Sequence, residues 1–464
     1  MSRRFSRLLI VSVSSAHAAG FIAYQRPDWD TQWTDQNGYM HLGQVLAETG
    51  RFTRYPDYPH FVPEALRTPG YPAFLAVLDV AFGQSHLVIA LAQAVLFAII
   101  CLLVYAMGRA VTSERTAVSA GLLTALYPPL PYFGALALTE LFTTFLVTAS
   151  MALWLRALRR GSVGSFTISG LALASVALTR PAFLYLPLFL LVAGVLATRE
   201  DRPRRRRGGL VMLAAFVAAL LPWLAYNAVY FRTLTFTPAG GVGRVLFEGT
   251  WQAELPGRIE AELTAIADAT SDRTALDDKV RALASRSQMA AEPMLRYVHQ
   301  WQDIRRIWTE PQDPWERTLA RIAADHEYLR VGLENVRRDP WRHLWRRAIR
   351  GTLILWVAEI PVRYSDINRL SPLAIRAIWL LQVALMVLAA WGSVVLARNG
   401  ARSEAFAIAA LVVYVTAVHT LLYAEARYAL PAKPLIVLLA TIAVAELSER
   451  YRLRSESAWH MATR

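Results

Sequence analysis

Apolar runs of membrane-spanning length recur along this chain. A span needs about 20 apolar residues, because about 1.5 Å of rise per residue has to cross about 30 Å of hydrocarbon. Such runs lie near 87–108, 117–133, 135–155, 165–180, 182–198, 209–230, 372–397, 404–423 and 428–447, with a weaker one over 8–24. The pattern predicts an all-α polytopic membrane protein with a bundle of about ten transmembrane helices. It divides into three parts: a transmembrane module over 1–230, an outer region over 231–371, and the last transmembrane helices with a tail over 372–464. Within the first part, 25–86 is an outer loop containing a semi-apolar stretch from Tyr71 to Phe82 that is too short to cross. In the outer region, 258–345 mixes charges with apolar residues at helical spacing, such as Leu319, Ile322, Leu329 and Leu333, and reads as helices lying on the membrane. Trp341, Trp345 and Trp356 suit the aromatic belt, and Gly240-Gly241-Val242-Gly243 reads as a flexible outer loop.

Composition agrees with this picture. Hydrophobic residues make up 55% of the 464 residues and charged residues 18%, against about 25% charged in a soluble domain. That argues against a soluble enzyme, a secreted disulfide scaffold and a disordered chain. The single cysteine, Cys101, lies in an apolar run, so neither an intrachain disulfide nor a cysteine-based zinc site is available.

The net charge of +14 is useful mainly for orientation. Arg3, Arg4 and Arg7 precede the first span; Arg156, Arg159 and Arg160 follow another; Arg199, Arg202 and Arg204 to Arg207 follow a third. Arg398 and Arg402 share a short loop, and Arg450, Arg452 and Arg454 follow the last span. An even number of crossings places all of these, and both termini, on the cytoplasmic side. The opening residues, ending in Ala16-His17-Ala18, also resemble a signal peptide; with either reading, the next segment lies outside. The Arg204–Arg207 run reads as a topology anchor or a contact to lipid headgroups, and no nucleic-acid partner is expected.

Ionisable residues at membrane depth are functional candidates, and here they share the outer side. Asp35 and Tyr39 are four apart and share a helix face, with Asp35 near the helix N-terminus, where the dipole favours negative charge. Arg67 begins Arg67-Thr68-Pro69-Gly70-Tyr71-Pro72, a sharp backbone bend from which a guanidinium can grip a phosphate with two parallel hydrogen bonds. Glu140 heads an apolar helix, Arg180 precedes Pro181, Asn227 ends the span 209–230, and His419, Glu425, Arg427 and Tyr428 flank the last outer turn. Each has an ordinary alternative: helix-end carboxylates for Asp35 and Glu140, a paired loop arginine for Arg67, snorkelling anchors for Arg180 and Arg427, a hydrogen-bonded helix histidine for His419. No phosphate-binding glycine loop, dinucleotide fingerprint, nucleophile elbow or histidine pair with metal spacing is present.

The ordered set of Asp35-x-x-x-Tyr39, Arg67-Thr68-Pro69-Gly70-Tyr71-Pro72, Leu138-Thr139-Glu140, Leu178-Thr179-Arg180-Pro181, Leu221-Pro222-Trp223 with Asn227, and Arg427-Tyr428 with Pro431 and Pro434 resembles the bacterial GT-C membrane glycosyltransferases. The likeness is to the protein O-mannosyltransferase and aminoarabinose-transferase type (glycosyltransferase family 39-like), over about residues 28–447. It implies a GT-C-like bundle with exoplasmic loop helices in the bacterial cytoplasmic (inner) membrane. The donor would be a sugar on a polyprenyl monophosphate, transferred at the exoplasmic face with inversion to an acceptor that is a protein, a lipid or a glycan.

Mapped onto this sequence, the resemblance implies that Asp35 is the general base. Arg67, Arg180 and Arg427 would stabilise the departing phosphate, and Glu140 and Tyr39 would orient the sugar or the arginines. Tyr71, Asn227, His419 and Tyr428 join the substrate-binding set. Relatives often carry an arginine before the asparagine of the Leu-Pro-Trp segment, whereas Ala225-Tyr226 precede Asn227 here. No cofactor and no catalytic metal is implied; Asp28 and Asp30, close to Asp35 in sequence, leave Mg²⁺ open. The competing reading is a transporter or flippase of a lipid-linked precursor, using the same charged cavity without chemistry.

Overall fold

The computed structural model of the chain describes residues 2–29, 34–198, 201–367 and 369–462, and these form helices joined by turns, with no strand among them. The chain begins with α1 (Arg3–Gln25), α2 (Thr34–Thr49) and α3 (Gly70–Phe82). Gly50 ends α2 at a φ of +67°, a left-handed conformation that favours glycine. The bundle continues with α4 (His86–Arg109), α5 (Glu114–Ala125), α6 (Pro129–Gly134), α7 (Thr139–Arg160), α8 (Val163–Thr179), α9 (Leu186–Leu196) and α10 (Arg202–Phe231).

Next come α11 (Val242–Glu254), α12 (Gly257–Ala269), α13 (Arg273–Arg286), α14 (Ala291–Thr309) and α15 (Pro314–Arg338). The short α16 (Pro340–Arg346) runs through a π-turn (Arg347–Gly351) into α17 (Thr352–Val357), and α18 (Tyr364–Ile367) comes after it. The last helices are α19 (Pro372–Arg398), α20 (Arg402–Leu421) and α21 (Lys433–Ala462).

Among the described residues, seven helical segments are long and apolar enough to cross a membrane: α1, α4, α7, α10, α19, α20 and Ala426–Leu453. The chain is therefore a multi-pass membrane protein. The remaining expected spans are shortened by proline, which lacks an amide donor and disfavours helix at the preceding residue. Tyr127-Pro128-Pro129 divides 117–133 into α5 and α6, and Pro181 ends α8 at 17 residues. A large apolar core joins α7–α10 to α17 and α19–α21, and a second joins α1 to α4–α7.

The outer region differs from its expectation. Helices α11–α15 bury Phe247, Leu263, Val280, Val298 and Tyr328 against one another in their own core, so the apolar spacing there serves helix packing. On α15 the buried face is Thr318, Ala324, Asp325, Tyr328 and Val331, while Leu319 and Leu333 are exposed. Trp341 and Trp345 are exposed, but Trp356 is buried, with the Lys433 ammonium 5.5 Å from its ring centroid. The glycine run is a packed joint. A Cβ on Gly243 would lie 1.9 Å from the carbonyl oxygen of Asp325, and one on Gly240 2.5 Å from that of Leu66.

The two ends of the bundle differ chemically. At one end Arg159 pairs with Glu404 at 3.5 Å, Arg204 donates to the Arg160 carbonyl and Arg205 to Ser403. The other end of α7, about 33 Å away at 1.5 Å per residue, carries Glu140 and its cluster of arginines.

Candidate active site

The site is built in two halves. In the first, Arg67 Nη2 donates to Asp35 Oδ1 at 2.7 Å, and the guanidinium carbon lies 3.7 Å from the Tyr39 ring centroid. Asp35 is in the first turn of α2 with its side chain 51% exposed, while that of Arg67 is 13% exposed. The bend that delivers Arg67 is folded around Glu64. One carboxylate oxygen accepts from the backbone amides of Leu66 (2.8 Å) and Arg67 (3.0 Å), and the carboxylate also pairs with Arg54. Burial disfavours the Arg67 charge, but Tyr39, Asp35 and Glu64 outweigh it and raise its pKa above the ordinary arginine value.

Asp35 is anchored by its neighbour in sequence. Gln36 is fully buried, donates to the Trp29 carbonyl at 3.0 Å and accepts from the Ala137 amide at 2.7 Å. This ties the start of α2 to the turn that leads into α7, and so to the second half of the site.

There, Glu140 is buried in the first turn of α7. Its Oε1 lies 3.5 Å from Arg180 Nη1 and 3.7 Å from Arg427 Nη1. Arg180 is delivered by Pro181: the residue before proline is driven from the helical region, and Arg180 sits extended at φ −140°, ψ 101°. Arg427 also pairs with Glu425. The Tyr428 ring lies under both guanidinium groups, 4.5 Å from Arg180 and 5.5 Å from Arg427, and packs against His419 at 4.8 Å.

The halves meet through aromatic and backbone contacts. Tyr39 packs edge-on against the buried Tyr71 at 5.2 Å, and Tyr71 reaches Phe142 on α7. A Cβ on Gly70 would lie 2.5 Å from Thr179 Oγ1 and 2.7 Å from the Leu178 carbonyl oxygen. The Arg67 bend thus rests directly on the turn that bears Arg180. Several polar atoms here are buried without a hydrogen-bond partner: Arg67 Nε, Arg180 Nη1, Glu140 Oε2 and the Tyr71 hydroxyl. Buried polar groups in folded proteins nearly always have partners, so these atoms are the ones a bound ligand would satisfy.

Asn227 is tied to a neighbouring turn, with its Oδ1 buried and without a hydrogen bond. Its amide donates to the carbonyls of Thr235 (2.9 Å) and Phe236 (3.2 Å), which fixes the turn after α10, and Ala239 in that loop bonds the Ala65 carbonyl. It braces the Arg67 bend from behind. The side chain of Asp28 and all of Asp30 lie outside the described residues. Among the described residues, no group of three or more His, Cys, Asp or Glu side chains is arranged to hold a metal ion.

Other charged groups around the site carried no clear signal in the sequence. Arg244 on α11 pairs with Glu248 at 2.8 Å and lies within electrostatic reach of Asp35. Glu248 and Glu425 both act on Glu260, whose pKa is pushed up to about 7, first by burial and then by these two acids, with Arg347 pulling the other way. Glu359, buried within electrostatic reach of Lys433 and Arg427, is likewise pushed up to about 7 by burial, with these two cations pulling the other way. The four-residue spacing of Arg244 and Glu248 was the one local clue.

Residues 66–226, which hold Arg67, Glu140 and Arg180, match the family model described as dolichyl-phosphate-mannose-protein mannosyltransferase. No curated relative matches by sequence. The archaeal oligosaccharyltransferase AglB from Archaeoglobus fulgidus, in complex with an inhibitory peptide and a dolichol-phosphate, matches with a TM-score of 0.55 at 15% identity, over 98% of this chain and 52% of that one. A structure of the Archaeoglobus fulgidus oligosaccharyltransferase tethered to an acceptor peptide gives 0.55 at 13% identity, over 97% and 51%. ArnT from Cupriavidus metallidurans bound to undecaprenyl phosphate gives 0.40 at 16% identity, over 96% and 78%.

The chain spans about half the length of the oligosaccharyltransferase chains it matches. Over that shared length its fold is like that of the Archaeoglobus fulgidus oligosaccharyltransferase. More narrowly, residues 66–226 carry the sequence pattern of the mannosyltransferase family.

Proposed function

We propose that this chain transfers a sugar from a polyprenyl-monophosphate donor to an acceptor at the exoplasmic face of the bacterial inner membrane, with inversion. The observation that carries this reading is the pair of buried donor atoms without a hydrogen bond, Arg67 Nε and Arg180 Nη1, with Arg67 paired to Asp35 and Arg180 sharing Glu140 with Arg427. A phosphate oxygen is the natural acceptor for such donors. The arginine-rich turns lie at the opposite end of the bundle, and the positive-inside rule puts that end in the cytoplasm, so the site faces out. The solved proteins of like fold include one in complex with a dolichol-phosphate.

In the proposed step the acceptor oxygen attacks the anomeric carbon opposite the phosphate. The bond from anomeric carbon to phosphate oxygen breaks, its electron pair stays on that oxygen, and the acceptor proton passes to the Asp35 carboxylate. The sugar passes through an oxocarbenium-like state. The phosphodiester becomes a monoester and gains negative charge, which Arg67, Arg180 and Arg427 stabilise by donors already in place. Glu140 keeps Arg180 and Arg427 side by side against their mutual repulsion, and Tyr428 provides the face on which both rest. His419 supports Tyr428. No metal or cofactor is assigned a part in this step.

The test is Asp35→Asn in purified protein supplied with a radiolabelled pool of polyprenyl-phosphate sugars. Wild type should release polyprenyl phosphate and labelled product, and the variant should lose at least about a hundredfold in rate. Product formation at the wild-type rate in the variant contradicts the assignment. Movement of intact donor across the bilayer, with no product from wild type, makes the chain a transporter.

A further inference from the structure

Arg347 is fully buried, and its guanidinium is used up on neutral oxygens. It donates to the Thr420 carbonyl at 2.8 Å, the His419 carbonyl at 3.2 Å and Gln252 Oε1 at 2.5 Å. Gln252, buried on α11, takes both backbone groups of Ala424: its Nε2 donates to the carbonyl at 2.8 Å and its Oε1 accepts from the amide at 3.1 Å. The two side chains join three separate elements, namely the π-turn after α16, α11, and the C-terminal end of α20 with the turn beyond it.

The backbones approach closely enough to require glycine at one of these contacts and are tight at another. A Cβ on Gly249 would lie 1.8 Å from the Leu422 carbonyl oxygen, and one on Gly351 3.3 Å from Thr420 Cα. The last carbonyls of α20 lack helical partners, and a buried charge is a costly way to satisfy them. Apolar packing would hold the helix end in place at less cost, but without fixing its rotation. Immediately beyond the clamp lies the site itself: Glu425 comes directly after Ala424, then Arg427 and Tyr428, while His419 lies on the clamped turn of α20.

We propose that Arg347 and Gln252 are positioning residues for the phosphate site, a buried clamp that sets where Glu425, Arg427 and Tyr428 stand. This role rests on the proposed glycosyl transfer from a lipid phosphate. It also makes α11, the helix that carries Arg244 and Glu248, a mechanical partner of Arg427, so that the outer helices and the phosphate site move as one unit.

The experiment uses the full chain in nanodiscs, with a short-chain polyprenyl monophosphate as the binding probe. Arg347→Met should raise amide hydrogen exchange selectively over 419–428 and weaken phosphate binding by about tenfold, the scale of one charge-assisted hydrogen bond. Arg347→Lys should recover part of both. In turnover, the donor KM should rise while the acceptor KM stays unchanged, a split that loss of folded protein does not produce. If Arg347→Met does not fold, Gln252→Glu decides: it keeps an acceptor for Arg347 but loses the donor to Ala424, and should shift exchange and binding in the same direction. Wild-type affinity in a folded variant, or unchanged exchange over 419–428, overturns the clamp. Failure of the wild-type chain to bind the probe overturns the proposed transfer instead, and this role with it.

Discussion

Glu64 accepts two backbone amides and a guanidinium while almost wholly buried, so removing its carboxylate leaves three donors without an acceptor. Glu64→Ala should lower stability by about 2–4 kcal/mol, the range for breaking a buried hydrogen-bonded ion pair, and release the Arg67 bend. Thermal unfolding in detergent, read beside donor turnover, checks this; a folded variant with unchanged midpoint and rate removes Glu64 from the account of the bend. Nothing in the sequence marked this residue, since an acid three positions before an arginine is common. Asp35, Arg67, Glu140, Arg180 and Arg427 were legible because charge is rare near apolar runs and each stands beside a helix break. Asn227 was marked on the same grounds, but its amide nitrogen is taken by the carbonyls of the turn just after it, a local bond that hydropathy and spacing do not register.

Among the elements, the seat of α3 on the end of α8 is the tightest joint in the site. Gly70 has no room for a Cβ, with Thr179 Oγ1 at 2.5 Å and the Leu178 carbonyl at 2.7 Å. Gly70→Ala must push the Arg67 bend away from the Arg180 turn, and a misplacement of about 1 Å at a reacting centre is worth roughly a hundredfold. Turnover should fall by at least about tenfold with the helical content by circular dichroism unchanged; full activity would show that the two halves need not touch. Most elements were readable from apolar run length, including the turn at Pro181, but the break at Pro128 was not: 117–133 reads as one span and folds as two helices. Partnership was not readable either. The spacing over 258–345 fits a helix facing lipid and a helix facing another helix equally well, and only the packed core of α11–α15 decides between them.

For the molecule as a whole, charge balance across the end of the bundle that carries Glu140 governs pH dependence. Glu260 sits with Glu248, Glu425, Tyr423 and Arg347, and its pKa is pushed up to about 7 by burial and by the two acids. A carboxyl whose folded pKa is raised holds its proton more tightly folded than unfolded, so its contribution is complete below the ordinary carboxylate value of 4.5 and declines as pH rises towards about 7. Above that pH a third negative charge joins Glu248 and Glu425 and opposes an incoming phosphate. The thermal midpoint should therefore fall between about pH 4.5 and pH 7, and donor affinity between about pH 6 and pH 8, in wild type, and Glu260→Gln should flatten both profiles. An unaltered profile in the variant places the titration elsewhere. This grouping was not legible in advance, because it joins α12 to the turn after α20 across more than 160 positions of sequence.

The most direct test of the arginine pocket is the ³¹P resonance of a polyprenyl monophosphate added to the full chain in nanodiscs. Binding should shift and broaden the signal at stoichiometric protein, and Arg180→Gln and Arg427→Gln should each weaken that binding by at least about tenfold. Shift and affinity unchanged in both variants would contradict a phosphate held by these guanidinium groups.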